Sequence, residues 1–389
     1  VKVYTDGRVP VKSWASQVED GALEQARNLS NLPFAMNHIA LMPDAHSGYG
    51  MPIGGVIMAD MAVVPYAVGV DIGCSVSLVD FEVTRDTLDA ATLSVILAQM
   101  TLDIPIGNGP RGNHQVEPLI EFGASLPYAT DVALHAAIDA EVQLGTLGGG
   151  NHFVEIQYDD AEPYRISVMI HSGSRSVGKK ICDYHYKIAK TLCARWHVPL
   201  PNPELAFLPW ETDEAKAYWA DMEAAMRWAE ENHRRMVECV LAAFDQRGIS
   251  GELVTSIHHN YAAWESHGGK NGIVHRKGAV RAREGEVVLI PGSMGTASYV
   301  GVGLGNEASF CTCQHGAGRA MSRHEAAKRW DKDALAGIMS EAGVLMAGEA
   351  AGATDEAPGA YKSIEIVMAD SADLVLPTRR LRPLAVLKG

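Results

Sequence analysis

The sequence predicts an α+β fold, with mixed β-sheets surrounded by helices and an active site at the strand ends, built as one domain over residues 1–389. Three observations carry this expectation. Apolar runs of strand length repeatedly end in glycine-rich motifs, and segments of helical periodicity lie between them. Those motifs are spread from residue 43 to residue 388 with no repeat, low-complexity tract or long linker, so the C-terminal half needs the N-terminal half to complete a site.

In chain order, residues 15–32 follow a helical pattern, and IALMPDAHSGYG then reads as a strand running into a glycine-rich loop. The apolar stretch 51–70 contains Asp60, two prolines and three glycines, which fits strands buried on both faces better than a membrane span. Residues 67–83 read as a buried strand, a tight turn at Gly73 and a second strand. Amphipathic helices are expected at 87–101 and 128–143. GTLGGGNHFVEIQY is a glycine loop feeding a strand, and RISVMIHSGSR a further strand. From 211 to 247, Tyr218, Met222, Met226, Ala229, His233, Met236, Val240 and Phe244 recur at helical spacing, which predicts a long helix or helix pair acting as a packing element. Strands are expected at 253–258 and 285–290, a Gly/Ser loop at 291–298, helices at 318–330 and near 333–347, and a strand at 363–367.

Composition narrows the function classes. With 47% hydrophobic and 21% charged residues, the chain has enough apolar material for a sizeable core and is not a disordered polymer. A formal charge of −14 argues against nucleic-acid binding over the whole surface but leaves room for a local basic site. Glu211, Asp213, Glu214, Asp221 and Glu223 place part of the negative charge at the start of the long helix. Six scattered cysteines are not a disulfide scaffold, and they read as reduced thiols of a cytoplasmic protein. No secretory leader is visible in VKVYTDGRVPVKSW.

Among fifteen histidines, those at strand ends beside glycine are the ones able to reach a site. Asp71 and Cys74 form a D-x-x-C turn, His152 follows GTLGGGN, His171 ends VMIHSGS, and His259 lies in IHHNYA. One thiolate, one carboxylate and three imidazoles suit a first-row transition metal, with Zn or Fe favoured by ligand softness and enough donors for two ions. Each of these residues taken alone is more simply a satisfied core or surface group. HRKGAVRAR at 275–283 and PGSMGTAS at 291–298 have the character of anion sites, although neither is a Walker A motif; their plain alternatives are a solvated edge strand and a simple turn. His315 sits in a glycine-flanked turn ahead of Arg319 and Arg323, where a neutral imidazole can act as a nucleophile. The C-x-C of Cys311 and Cys313 is a weak metal signal, since no second cysteine pair lies nearby.

Together these segments resemble the RtcB family of GTP-dependent RNA-splicing ligases: PDAHSGYGMPIGGV (43–56), VGVDIGC (68–74), GTLGGGNHFVEI (145–156), HSGSRSVG (171–178), HHNYA (258–262), HRKGAVRA (275–282), IPGSMGTASY (290–299), SFCTCQHGAGRAMSR (309–323) and the terminal LKG. The resemblance implies two Mn ions held by Asp71, Cys74, His152, His171 and His259, with the cysteine shared. It makes His315 the nucleophile that takes GMP from GTP as a phosphoramidate. The guanylate site it implies comprises Asn151, His152, Phe153, Glu155, His259, Asn260, Pro291, Gly292, Ser293, Met294, Ser298, His315, Gly316, Ala317, Gly318 and Lys388. The substrates would be RNA with a 3′-phosphate or 2′,3′-cyclic phosphate end and RNA with a 5′-hydroxyl end, in tRNA splicing or RNA repair. An archease-type activator is the implied protein partner, and no membrane is involved. Arg175, Lys277, Arg319 and Arg323 are the expected contacts to RNA phosphates, within a confined basic groove formed by 275–283 and 319–329. Departures from the family pattern fall at about 103–130, 157–166 and 197–215.

Two other readings use the same residues. A two-metal cyclic phosphodiesterase or phosphatase would turn over a cyclic phosphate without GTP and tolerate loss of His315. A noncatalytic RNA-end-binding protein would bind RNA and form no product.

Overall fold

The computed structural model describes residues 1–107, 120–162, 165–347 and 353–389; much of the 103–130 stretch and part of the 157–166 connection lie outside them. The architecture is the expected mixture of sheets and helices. One sheet has six strands in the order β1 (Lys2–Tyr4), β2 (Val11–Ser13), β3 (Ala35–His46), β4 (Ile53–Ala59), β12 (Lys270–Lys277) and β11 (Asn260–His267), antiparallel except for the β2–β3 pair. The other runs β10 (Gly251–His258), β6 (Ser75–Glu82), β8 (Arg165–Ser172), β7 (Phe153–Asp159), β18 (Val375–Lys388), β15 (Ser298–Gly303) and β14 (Val287–Ile290), with β17 (Leu345–Ala347) joined in parallel to β18. Two short pairs join β5 (Ala62–Val63) to β9 (Leu208–Pro209) and β13 (Ala279–Arg281) to β16 (Thr312–Gln314). The helices are α1 (Asp20–Ser30), α2 (Pro65–Val68), α3 (Ala90–Asp103), α4 (Ile120–Ser125), α5 (Asp131–Ala140), α6 (Ser176–Arg195), α7 (Asp213–Asp245), α8 (Arg323–Arg329), α9 (Lys332–Glu341) and α10 (Ile364–Asp370).

The central strands of both sheets are covered on both faces, which explains their nearly continuous apolar sequences, whereas the edge strands β1 and β10 are largely exposed. In the second sheet, Val79, Phe81, Ile166, Val168 and Ile170 pack under α3 and α7, whereas Val76, Leu78 and Met169 face α9 through Leu335 and Met339. In the first, Ile39, Leu41, Ile57 and Ile273 meet α1, α6 and α7, while Ala40, Met42, Val56, Met58 and Val274 meet Phe310 and α10. The period of two along each strand decides which core each side chain joins.

The region 211–247 is one helix, α7. Thr212 caps it by accepting from Ala215 N–H at 3.2 Å, and Asp213 and Glu214 favour its N-terminal dipole. Its 33 residues span about 50 Å at 1.5 Å per residue. That length lets Tyr218, Met222 and Trp228 pack on the first sheet's core and Met236, Val240 and Phe244 on the second's.

Several expectations are corrected. The first strand of 67–83 is the last part of the single turn α2, started by Pro65 at its first position and ended by Gly69 at φ 98°; only the second strand, β6, forms. Residues 363–367 form α10 rather than a strand, because Ile364 and Val367, three apart, both enter the core. The 15–32 helix begins at Asp20, and the 318–330 helix begins at Arg323, where Ser322 and Glu325 form a reciprocal capping box. The 333–347 helix ends at Glu341, and Gly343 at φ 70° turns the chain into β17. Asp221 is no surface charge: it is fully buried, accepting from Thr130 Oγ1 at 2.7 Å and lying 2.8 Å from His185 Nε2. The basic run 275–283 is not a solvated edge, since β12 lies between β4 and β11. No described helix is long and apolar enough to cross a membrane.

Candidate active site

The strand registers bring the metal-ligand candidates to one end of the second sheet. Ser75 pairs with Ser172 and with His258, Val76 with His171, and His171 with Phe153. Cys74, His259 and His152 each flank one of these paired positions by a single residue, so the four side chains issue from adjacent strands about 4.8 Å apart. Asp71 joins them through the turn before β6. Gly73, at φ 74°, makes that turn and donates its N–H to the Asn260 carbonyl at 2.9 Å. The Asn260 side chain in turn donates to the Asp71 carbonyl at 3.0 Å and accepts from Gly278 N–H at 2.7 Å.

The resulting cluster is tight. Cys74 Sγ lies 3.3 Å from His171 Nε2 and 3.6 Å from His152 Nε2; His152 Nε2 is 3.1 Å from Asp71 Oδ2, and His171 Nε2 is 3.4 Å from His259 Nε2. Burial and the neighbouring imidazoles push His171 and His259 well below the ordinary histidine range, so both are neutral and able to donate lone pairs. Burial and then the Asp71 carboxylate push the Cys74 thiol well up, so a metal must displace its proton. The donor atoms of Cys74, His152 and His171 lie within 4.8 Å of one another, with Asp71 beside His152 and His259 beside His171, and this donor chemistry fits a transition-metal centre.

A cavity of about 360 Å³ opens beside this cluster. Asp71, Cys74, His171 and His259 border it, together with Asn151, Phe153, Glu155, Asn260, Pro291, Gly292, Ser293, Met294, His315, Gly316, Ala317, Gly318 and Lys388. His152 does not border it, and neither does Ser298. Its hydroxyl lies beneath the PGSM turn, accepting from Gly292 N–H at 3.1 Å and from Gln157 Nε2 at 3.0 Å, so it shapes the turn from behind. Lys388 reaches the cavity because it pairs with Phe153 at the end of β18, and its Nζ is 3.2 Å from Glu356 Oε2. Burial pushes Glu155 up to about 8, which makes it a neutral carboxylic acid able to donate as well as accept at neutral pH.

His315 follows β16, with its ring centroid 5.0 Å from that of His259. The carboxylate of the fully buried Asp44 lies 2.6 Å from His315 Nδ1 and accepts the His315 backbone N–H at 3.2 Å. Gly318, at φ 70°, lets the chain pass so close to β3 that a Cβ there would come within 2.2 Å of the Asp44 carbonyl oxygen.

The cations are arranged less simply than the sequence suggests. Arg319 Nη1 is 3.0 Å from Glu356 Oε1, and Arg323 contacts Asp355 at 2.7 Å and also Glu356. Burial alone would raise Glu356, but Lys388, Arg323 and Arg319 hold it at about 2. Arg175 lies behind the cavity, with Nη1 3.3 Å from His152 Nδ1 and Nη2 donating to the Gly107 carbonyl at 3.2 Å. Lys277 borders the cavity, but its ammonium donates to the carbonyls of Met51, at 3.0 Å, and Tyr49, so it braces the 47–51 loop. Arg276 is fully buried against Glu265, and Arg281 pairs with Glu286 at 2.8 Å. Arg283 is about half exposed, 3.8 Å from Glu265, whereas the other charges of 275–283 hold the scaffold together instead of forming the expected basic groove.

Sequence analysis does not single out Asp44, His46 or Glu356. Asp44 and His46 stand inside the quoted PDAHSGYG segment, and the carboxylate and imidazole beside a glycine loop were the available signal. Glu356 stands in ATDEAPGAY, which carries no comparable mark.

The model of the family described as tRNA-splicing ligase RtcB matches residues 25–125 and 121–389. The chain is 37% identical over its whole length to the RNA-splicing ligase RtcB1 of Escherichia coli, covering 99% of that protein. It is 32% identical to the tRNA-splicing ligase RtcB of Thermococcus kodakarensis, with 100% of this chain and 94% of that protein aligned. Against the RNA-splicing ligase RtcB of Mycobacterium tuberculosis the identity is 32%, over 94% of this chain and 100% of the relative. With its ligand cluster, its Asp44–His315 pair and these full-length matches, the chain belongs to the RtcB family of ligases.

Proposed function

We propose that this chain is an RNA ligase, acting as a single domain, which uses Mn²⁺ and GTP to join RNA 3′-phosphate or 2′,3′-cyclic phosphate ends to 5′-hydroxyl ends through GMP carried on His315. The observation that carries the reading is the Asp44–His315 contact of 2.6 Å at the edge of the cavity. The Asp44 carboxylate beside Nδ1 would favour the tautomer protonated there, leaving the Nε2 lone pair as the nucleophile, and would stabilise the positive charge the ring acquires.

Nε2 attacks the α-phosphorus of GTP, a P–N bond forms, and pyrophosphate leaves. An oxygen of the RNA 3′-phosphate then attacks the GMP phosphorus and the P–N bond breaks, giving an RNA capped by a 3′,5′-linked diphosphate to guanosine. The 5′-hydroxyl of the second strand attacks the RNA phosphorus, GMP departs, and a phosphodiester remains. A cyclic end is first hydrolysed to the 3′-phosphate. Asp71, Cys74, His152, His171 and His259 would hold Mn²⁺, which when bound neutralises phosphate charge and polarises attacking oxygens. Glu155, Asn151, Phe153, Lys388 and the 291–294 turn would seat the guanosine. Arg319 and Arg323, which border the cavity, would take phosphate oxygens in exchange for Glu356.

The test is intact mass of the metal-loaded protein after exposure to GTP. One GMP per chain is expected, mapped to His315 and absent from His315→Ala. Metal-loaded protein that gains no mass yet opens a cyclic phosphate would replace this reading with the phosphodiesterase one.

A further inference from the structure

A second group of ligating side chains comes together away from the cavity, at the end of the β11–β12 hairpin opposite to His259. His267 closes β11, Glu307 begins the 3-10 turn Glu307–Ser309, and Cys311 follows that turn. Their ligating atoms all lie within 4.8 Å of one another. His267 Nδ1 is 3.1 Å from Glu307 Oε2, and Cys311 Sγ is 3.5 Å from Glu307 Oε1. Around a tetrahedral ion with bonds of about 2.0–2.3 Å, neighbouring ligand atoms stand roughly 3.3–3.7 Å apart, so the group needs only small adjustments to close on one.

The surroundings suit an ion as well. His267 Nε2 is 3.0 Å from Glu265 Oε2 and Nδ1 is 3.1 Å from Glu307 Oε2, so the ring lies between two carboxylates; an ion at Nδ1 would replace the proton there, while Glu265 keeps the proton on Nε2. Arg276 holds the Glu265 carboxylate from the other side, donating to Oε2 at 3.0 Å, so that orienting group is itself fixed. Arg276 also balances the charge of Glu265, which leaves the Glu307 carboxylate and, once an ion displaces the proton that burial and Glu307 keep on it, the Cys311 sulfur to neutralise a divalent cation. His267 and Cys311 are buried, whereas the Glu307 side chain is 63% exposed and gives an entry path. Cys313 has no part in the group; it is fully buried in the apolar cluster with Phe310 and Val280.

We propose that His267, Glu307 and Cys311 form a Zn²⁺-type site with solvent as fourth ligand, separate from the Cys74 centre. The ion ties the hairpin end to the segment entering β16, the strand that delivers His315, and so steadies the nucleophile's approach from four residues upstream.

Zn²⁺ bound per full-length chain, measured by equilibrium dialysis with elemental analysis, tests this. Cys311→Ser and Glu307→Gln are each expected to bind one equivalent fewer than the unsubstituted chain, or to hold it at least tenfold more weakly, while keeping their circular dichroism. Glu307 is exposed, so its Gln variant decides the matter even if Cys311→Ser misfolds. In a Cys74→Ala background, Co²⁺ should still give a thiolate charge-transfer band, lost on adding Cys311→Ser. Equal Zn²⁺ stoichiometry and affinity in the unsubstituted chain and Glu307→Gln, with no such band, would overturn the site.

Discussion

Two side chains, Asp44 and Glu155, set the chemistry of the cavity through what surrounds them. Asp44→Asn keeps the shape but removes the charge that orients His315 and stabilises its cationic form. Guanylylation, followed as label transfer from GTP in a single turnover, is expected to slow on the order of 10² to 10⁴-fold. An unchanged rate would remove Asp44 from the mechanism. Glu155 makes a prediction about pH. Burial raises its folded pKa from 4.5 to about 8, so the folded state binds its proton more tightly than the unfolded chain does. That contribution to stability is complete below pH 4.5 and is lost as pH rises toward 8. Glu155→Gln should therefore flatten the decline of the urea midpoint between pH 5 and pH 8; parallel curves for the two proteins would show that Glu155 does not titrate in that window.

Among the elements, α7 is more than packing. Asn232, fully buried on it, accepts the Gly145 N–H at 2.7 Å and donates to Gly173 O at 3.2 Å and Thr146 O at 3.3 Å. His233, the next residue, lies 2.7 Å from Ser77 Oγ and 3.0 Å from Ser172 O. The helix thus grips the loops that bear His152 and His171. Asn232→Ala leaves several buried backbone groups unpartnered and is expected to cost about 1–3 kcal/mol in urea unfolding. It should also weaken metal binding roughly 10-fold or more, because the ligand loops lose their support. A loss of stability with metal affinity untouched would separate the helix from the site. Among the elements that sequence analysis does not identify, α6 and β18 have physical reasons for their obscurity. The α6 helix begins directly at the glycine- and serine-rich HSGSRSVG, which masks its start. In β18, arginines and two prolines interrupt the strand pattern, and Pro383 is tolerated because the pairing with β7 shifts register there.

Over the whole molecule, the question posed by a net charge of −14 is answered by pairing rather than by a broad basic face. Arg276, Arg281 and Lys277 are engaged within the scaffold, and Arg319, Arg323 and Lys388 are gathered at the cavity around Glu356. With Lys388 assigned to the guanosine, Arg319 and Arg323 remain at the cavity among the described residues for a single-stranded RNA end, so the slope of log affinity against log salt is expected to be roughly −1.4. A slope several times steeper, measured by filter binding over a salt series, would demand a basic surface elsewhere.

The sequence by itself determined the class of fold, the family and much, though not all, of the cavity lining. Those features reside in local signals: apolar runs ending at glycine, and a histidine or cysteine at each strand end. Only the tertiary structure decided which charges are free and which residues govern His315. Arg276 looks the same in sequence whether it meets solvent or Glu265, and the Asp44–His315 contact joins positions 271 residues apart. The physical reason is that a side chain's ionisation, tautomer and hydrogen bonding depend on what packs against it from distant strands. Local sequence holds no record of those neighbours, whereas hydrophobic periodicity and backbone turns are written in consecutive residues.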